Sequence, residues 1–311
     1  MRSRTPSHPP PRQGRLRLAL IVAAGLAIAG CHPGNEEVKR LRGACEDGDS
    51  AACNQFAIKL QKGEYTLRDE ARAAVLFERA CADTVADGCA SLGAMYLRGA
   101  GVKRDSARAT TLFLQACNRG AMKGCTRLGD LHKRAAGPAR DIARASALFR
   151  QACDGGEAEG CAQLGLLHID GDGVTKDVDR AAQLFQRSCD AKVALGCVGL
   201  GRLHAAGTGV ARNDSAAASL FEAACDEGEV TGCFQLAGLH EAGQGVTQDF
   251  GRAASLYRSA CESRHGEACF RLAGLYEKGA GVRRDPDRAT STMRRACDSG
   301  YVQACPKPKG T

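Results

Sequence analysis

Apolar residues recur along the chain at helical spacing, and glycine-rich stretches interrupt them at regular intervals. The segment CASLGAMYLRG places Cys89, Leu92 and Tyr96 on one side of a helix. The stretch GAGVKRD then ends the pattern, and Asp105 is suited to cap the start of the next helix. That second segment, SARATTLFLQAC, also has its apolar residues on one face, including Phe113. The pattern therefore predicts a first helix, a glycine-rich turn and a second helix.

This helix–turn–helix pattern returns every 36 residues without an insertion. The turn recurs as GDGV, GTGV, GQGV and GAGV, and an Asp or Asn stands at the cap of each second helix. A Leu-Phe or Leu-Tyr pair marks the second helices, except in the last unit, where Thr292 and Met293 replace it. A fixed period of this length is the signature of a solenoid, in which each unit packs on its neighbours. The sequence therefore predicts an all-α solenoid built from seven helix pairs.

Sixteen of the 17 cysteines follow the same period, always as two cysteines separated by seven residues. In the six cysteine pairs from Cys81/Cys89 to Cys261/Cys269, one cysteine lies at the predicted end of a second helix and the other near the start of the next first helix. The spacing is typical of neither a zinc site nor a thioredoxin motif, and zinc would need four ligands to converge on one ion. The cysteines are Cys45/Cys53, Cys81/Cys89, Cys117/Cys125, Cys153/Cys161, Cys189/Cys197, Cys225/Cys233, Cys261/Cys269 and Cys297/Cys305.

The consensus GCxxLGxLHxxGxGVxxDxxRAAxLFxxAC resembles the Sel-one-like repeat family, a relative of tetratricopeptide repeats. Within that family, the cysteine spacing is similar to that of the Helicobacter cysteine-rich proteins. The resemblance covers residues 45–305, although the first unit has KGEYTLRD and the third has AAGPARD in place of the double-glycine turn. It implies a right-handed α/α superhelix of seven 36-residue helix pairs, stapled by disulfides.

Two disulfide arrangements are open for this cysteine pattern. Cys89 could bond Cys81 across the link to the preceding unit, or Cys117 at the other end of its own unit. Pairing across the links uses all sixteen thiols, whereas pairing within units leaves Cys45 and Cys305 free. Because a free thiol is a liability in a secreted protein, the count favours pairing across the links. The disulfide pattern of the resembled family agrees.

An analogy with tetratricopeptide repeats also predicts a ligand groove on the concave face. It would be lined by the positions one, five, eight and nine residues after the first-helix cysteine. A basic part of this set, Arg98, Lys133 and Arg134, would suit an acidic peptide or a terminal carboxylate, and its two phenylalanines would suit an apolar side chain. The alternative is that these residues form only a solvated face. The predicted groove residues are Arg98, Asp130, Lys133, Arg134, Asp170, Arg202, Phe234, Glu241, Phe270, Glu277 and Lys278.

The N-terminus carries a predicted export signal. Basic residues precede an apolar run from Leu18 to Ala29, which is too short to span a bilayer comfortably. The run ends in IAGC, which resembles a bacterial lipobox and implies that Cys31 is diacylated after cleavage. His32 after this cysteine favours the outer membrane, and an ordinary secretory signal is the alternative. We therefore expect a location in the cell envelope, a signal peptide over 1–30, a lipid-anchored linker and N-terminal cap over 31–44, the solenoid over 45–305 and a tail over 306–311.

Charge and histidines change this interpretation little. The formal net charge is +8, but five arginines and no acid lie in residues 1–30, so the remainder is only mildly basic. Basic patches with interleaved aromatics are absent, so a nucleic-acid partner is not expected. Four histidines keep the period, at His132, His168, His204 and His240. Because one histidine per unit places neighbours roughly 10 Å apart, we expect packing roles, with no metal and no cofactor.

The sequence lacks the motifs of the enzyme class that the resemblance raises. Some relatives in the family are described as β-lactamases or penicillin binders, but no S-x-x-K, G-x-S-x-G or H-E-x-x-H motif occurs. We therefore expect an envelope-anchored scaffold that binds a protein, a peptide or a cell-wall ligand such as peptidoglycan. Membrane contact is expected only through the lipid anchor. The alternative is a β-lactam hydrolase whose residues are brought together only by the superhelix.

Overall fold

The computed structural model describes residues 33–135 and 140–306, which form fifteen α-helices and one short 3-10 helix. The predicted signal peptide, Cys31 and residues 307–311 of the tail lie outside the described residues. The chain divides into two compact units, residues 1–121 and 122–311. The helices are α1 (Pro33–Glu46), α2 (Ser50–Lys62), α3 (Glu70–Ala82), α4 (Ala86–Arg98), α5 (Ser106–Asn118), α6 (Met122–Arg134), α7 (Ile142–Asp154), α8 (Ala158–Asp170), α9 (Val178–Asp190), α10 (Ala194–Ala206), α11 (Asp214–Asp226), α12 (Val230–Ala242), α13 (Phe250–Glu262), α14 (Gly266–Lys278), α15 (Pro286–Asp298) and the 3-10 helix Val302–Ala304.

Consecutive helices pack against each other within each unit. In the first compact unit, each helix from α1 to α5 packs on the next, and in the second compact unit the same holds from α6 to α15. After α1, an even-numbered first helix is always followed by an odd-numbered second helix, which gives seven pairs. The predicted all-α solenoid of seven helix pairs is therefore confirmed. None of the helices in the described part of the chain is both long and apolar enough to cross a membrane.

Each second helix begins at the cap that the sequence predicts. In α9, Asp177 Oδ1 accepts a 2.8 Å hydrogen bond from the backbone N–H of Arg180. An N-cap of this kind stabilises a helix by about 1 kcal/mol, so the caps fix where the second helices begin. The same bond to the residue three positions on forms at Asp69, Asp105, Asp141, Asn213, Asp249 and Asp285.

The double-glycine turn is required by the close packing of neighbouring pairs. Gly99 follows α4 with a left-handed φ of +74°. Gly101 has a φ of +67°, and a Cβ on it would lie 2.3 Å from the backbone of Glu70 at the start of α3. In the first pair, the equivalent residue is Tyr65, with a φ of +56°, and its ring covers Gly34 at the start of α1. Helix α1 therefore occupies the place of a preceding second helix and caps the first pair.

The core of most pairs is an aromatic ring of the second helix packed on a small residue of the first. Phe185 is 1% exposed, and a Cβ built on Gly165 would lie 2.8 Å from its ring. The two helices thus approach more closely than a larger side chain would permit. This explains why the position four residues after the first-helix cysteine is always small. The equivalent contacts join Phe113 to Gly93, Phe149 to Gly129 and Phe221 to Gly201.

Disulfides close the links between consecutive pairs. Between pairs, each bond joins the end of a second helix to the start of the next first helix, and Cys45 at the end of α1 joins the first pair in the same way. After the last pair, Cys297 at the end of α15 is bonded to Cys305, which follows the 3-10 helix. Cys117 and Cys125 are disulfide-bonded as well. The disulfide-stapled fold that the sequence predicts is therefore confirmed. The other bonds are Cys45–Cys53, Cys81–Cys89, Cys153–Cys161, Cys189–Cys197, Cys225–Cys233, Cys261–Cys269 and Cys297–Cys305.

Candidate ligand groove

The first helices of the second unit, α6, α8, α10, α12 and α14, share one side of that unit. Besides packing on its own partner, α8 contacts both α6 and α10, and α10 also contacts α12. Helices that contact the next first helix in this way lie side by side, so their solvent-facing residues form a continuous surface. We call this surface the first-helix face.

A cavity of about 580 Å³ lies in the first-helix face, where α10, α12 and α14 meet. The half-buried Phe234 of α12 lines it together with Tyr257 of α13, and their ring centroids are 5.8 Å apart. Phe234 also stacks on His265, with 4.5 Å between the ring centroids. Leu239 and Glu241 of α12 are among the other lining residues. This Phe234 cavity therefore combines apolar walls with charged groups.

Glu241 is held in place inside the Phe234 cavity. The Tyr257 hydroxyl donates a 2.7 Å hydrogen bond to Glu241 Oε2. Burial of Tyr257, together with this bond to a carboxylate, raises the pKa of the phenol above its usual range, so the hydroxyl remains a donor. A second acid of the cavity, Glu267, forms an ion pair with Arg271 four residues on, with 3.6 Å between Oε1 and Nη2.

A second cluster of polar and charged side chains lies on α6 and α8 of the same face. Lys133 Nζ donates to Gln163 Oε1 at 3.1 Å. Asp130 is only 9% exposed, and its Oδ1 has no hydrogen-bond partner among the described residues. Burial raises the pKa of this carboxyl, against the opposing attraction of Arg134. Asp130 is therefore a buried carboxyl, whereas Arg134 is exposed.

The other predicted groove residues do not line the Phe234 cavity. Phe270 on α14 is half-buried against Tyr301, with 5.2 Å between the ring centroids. Arg98 is exposed at the end of α4, in the first unit. Of the predicted groove residues, the structure thus brings Phe234 and Glu241 into one cavity. The other exposed residues of the predicted groove in the second compact unit are Asp170 at the end of α8, Arg202 on α10, and Glu277 and Lys278 at the end of α14.

Three ionisable residues of the Phe234 cavity were not predicted from the sequence as groove residues: Tyr257, Glu267 and Arg271. Tyr257 stands at the second-helix position where the preceding repeats have Phe, so the added hydroxyl was the signal available in the sequence. Glu267 and Arg271 lie two residues before and two after a first-helix cysteine. They fall outside the tetratricopeptide-derived positions, and only the structure shows that they reach the cavity from α14.

The periodic histidines lie where first helices meet their turns. His168 Nδ1 is 3.0 Å from the carbonyl oxygen of Thr175, and His204 Nδ1 is 3.2 Å from that of Ala211. An imidazole N–H that donates to these carbonyls holds the turn against the first helix. Across residues 33–135 and 140–306, no group of three or more His, Cys, Asp or Glu side chains is arranged to hold a metal ion.

Stacked helix pairs with glycine turns, capped second helices and small-residue crossings define an all-α repeat scaffold. The family model of the Sel1 repeat matches seven segments, and together they make up most of the chain, so this protein belongs to the Sel1 repeat family. Among curated proteins, no sequence match is found. The matched segments are 50–84, 86–120, 123–157, 158–193, 194–229, 230–265 and 266–301.

Solved structures of similar proteins align with this chain. A protective antigen of uropathogenic Escherichia coli with an SLR fold aligns with a TM-score of 0.64 and 27% identity, over 86% of this chain. The present chain covers only 57% of that antigen. A Sel1 repeat protein from Oxalobacter formigenes aligns with a TM-score of 0.67 and 20% identity, over 83% of this chain and 98% of its own. Helicobacter pylori cysteine rich protein B aligns with a TM-score of 0.35 and 27% identity, over 42% of this chain and 93% of its own.

Proposed function

We propose that this protein is an extracytoplasmic scaffold that binds a segment of a protein or peptide along the first-helix face of residues 122–306. The Phe234 cavity carries this proposal. It is large enough to receive one side chain of a ligand, and it presents a half-buried aromatic ring beside a fixed carboxylate. Concave sites with mostly apolar walls and a few placed polar groups are the usual form of ligand sites in proteins. A peptidoglycan ligand and a β-lactam hydrolase activity are not proposed, because no feature of the described residues favours either.

Binding of selected peptides tests this function. We expect that peptides selected from a displayed random library bind the purified, oxidised protein and lose at least about tenfold in affinity on Phe234→Ala. Truncating a central aromatic anchor typically costs more than about 1 kcal/mol, and about 1.4 kcal/mol corresponds to that tenfold change. Fluorescence anisotropy with labelled peptide gives the dissociation constants, and thermal melting shows whether each variant remains folded.

Leu114→Ala is the matched control for this test. Leu114 is an apolar residue with 39% exposure, and it lies on the second helix α5, in the first compact unit. Its truncation should leave peptide affinity unchanged. Unchanged affinity in Phe234→Ala, or equal losses in both variants, would show that the peptides do not use the Phe234 cavity.

We also propose that the protein is held in the cell envelope, in the outer membrane, by a lipid on Cys31. The many disulfides support a location outside the cytoplasm, because disulfides persist in oxidising compartments. If the lipid is the only membrane attachment, Cys31→Ala should move the protein from the membrane fraction to the soluble fraction of lysed cells. A Cys31→Ala protein that stays with the outer membrane would contradict the lipid anchor.

A further inference from the structure

We infer that the Phe234 cavity receives a cationic group on an aliphatic stem, such as the side chain of a lysine or arginine in the bound segment. This inference rests on the proposed function, since it names the ligand chemistry of the same groove. The sequence predicted an apolar side chain at the phenylalanine end of the groove, and the inference adds a positive charge at the end of that apolar stem.

The walls of the cavity suit an aliphatic stem. Phe234 and Leu239 of α12 line it, and Ala205 and Phe221 contribute further apolar surface from α10 and α11. The side chain of a lysine or arginine buries its methylene groups along such surface and keeps its charge at a polar end. A cation near the ring of Phe234 would also gain from the negative face of the aromatic ring.

The charges of the cavity select a cation over an anion. Three charged side chains line it, two acids and one base: Glu241, Glu267 and Arg271. The Arg271 guanidinium is already paired with Glu267, at 3.6 Å. Glu241 is oriented instead by a neutral donor, the Tyr257 hydroxyl, which binds Oε2. A carboxylate oxygen pair accepts several hydrogen bonds, so Glu241 retains the capacity and the charge to bind an ammonium or guanidinium.

The next repeat keeps the aromatic ring and the acid but lacks the tyrosine hydroxyl that orients the acid. Phe270 and Glu277 stand 36 residues after Phe234 and Glu241, so that repeat keeps an aromatic ring and an acid at the same positions. The residue that corresponds to Tyr257 is Met293, which has no hydroxyl to orient the acid. Glu277 is exposed and does not line the Phe234 cavity. It therefore provides a matched acid for a control variant.

NMR titration with small probes tests the inference directly. The oxidised, isotope-labelled protein is titrated with n-butylammonium, n-butanol and butyrate, which share a stem and differ in charge. We expect n-butylammonium to shift the amide signals of Phe234, Gly238 and Glu241, with an affinity at least five times that of n-butanol, and butyrate to shift them least. Glu241→Gln should weaken n-butylammonium binding at these signals at least fivefold, and Glu277→Gln should leave it unchanged.

Three results would overturn the inference: equal affinities for n-butylammonium and n-butanol, no shift at these amides with any probe, or unchanged n-butylammonium affinity in Glu241→Gln. These outcomes are separable from failure of the proposed function. If selected peptides depend on Phe234 but n-butylammonium does not bind, the groove remains and only its preference for a cation is wrong. If n-butylammonium binds as expected but no peptide depends on Phe234, the cavity recognises a cation and the protein-binding proposal is wrong.

Discussion

Replacing Cys153 and Cys161 together with alanine should lower the free energy of unfolding by about 2–3 kcal/mol, as expected for removing a cross-link that closes a loop of about nine residues. The disulfide joins the end of α7 to the start of α8, and both cysteines are buried at 0–1% exposure. In a repeat protein, each pair depends on the contacts with its neighbours. Loss of this disulfide should therefore weaken the packing between the helix pair before the link and the helix pair after it. Urea denaturation followed by circular dichroism measures the change.

Full reduction should have the largest effect of all. Small domains are stable by about 5–15 kcal/mol in total, and several staples of about 2–3 kcal/mol each approach or exceed that sum. We therefore expect the reduced and alkylated protein to lose most of its helical signal at 37 °C. A double variant that unfolds within about 0.5 kcal/mol of the wild type, the range of neutral surface changes, would show that the disulfides do not stabilise the repeats.

Phe185→Ala should cost about 3–5 kcal/mol, the range for truncating a buried aromatic residue. The ring is 1% exposed, and it lies against Gly165 of α8 on one side and Gly199 of α10 on another. The glycines have no side chain to move into the space, so the cavity left by the ring stays open. The same denaturation experiment gives the value, with the exposed Arg150 of α7 changed to alanine as the control. A loss below about 1 kcal/mol would contradict this packing.

The partner of this contact provides an internal check. A Cβ added at Gly165 would lie 2.8 Å from the Phe185 ring, so Gly165→Ala should destabilise by about 1–3 kcal/mol through overpacking. Phe185→Leu replaces the ring with a smaller side chain, which should relieve part of the clash with the added methyl group. We therefore expect the double variant to be more stable than the sum of the two single changes predicts. Strict additivity would mean that the two residues do not press on each other.

The fold was largely predictable because its determinants repeat. One repeat, read from Cys89 to Cys117, supplies the helix, the cap and the small residue that recur in the other pairs, and the glycine turn that recurs in most of them. Helix α1 was expected only as a linker and cap over 31–44, whereas the structure forms a helix at Pro33–Glu46. Its sequence lacks the Leu-Phe or Leu-Tyr pair that marks most second helices. Its burial of Val38, Leu41 and Cys45 depends on α2.

The candidate site was less predictable because it departs from the repeat. The spacing rule selected Phe234 and Glu241, and both line one cavity. It also selected Asp130, whose carboxyl is buried, and Arg202, which lies outside the cavity. Periodicity assigns a position to a face, but the side chain's burial depends on the neighbours it meets there. Tyr257 contributes from a second helix, which no rule about first-helix positions can indicate.

The repeat cysteines staple consecutive helix pairs of the scaffold, so that none of them is left as a free thiol. Peptide mapping of the purified, non-reduced protein by mass spectrometry tests this pairing most directly. We expect each repeat cysteine to be linked to the one eight residues away, as Cys153 is to Cys161, with no free thiol among them. A link from Cys161 to Cys189, which would join the two ends of one helix pair, would contradict it.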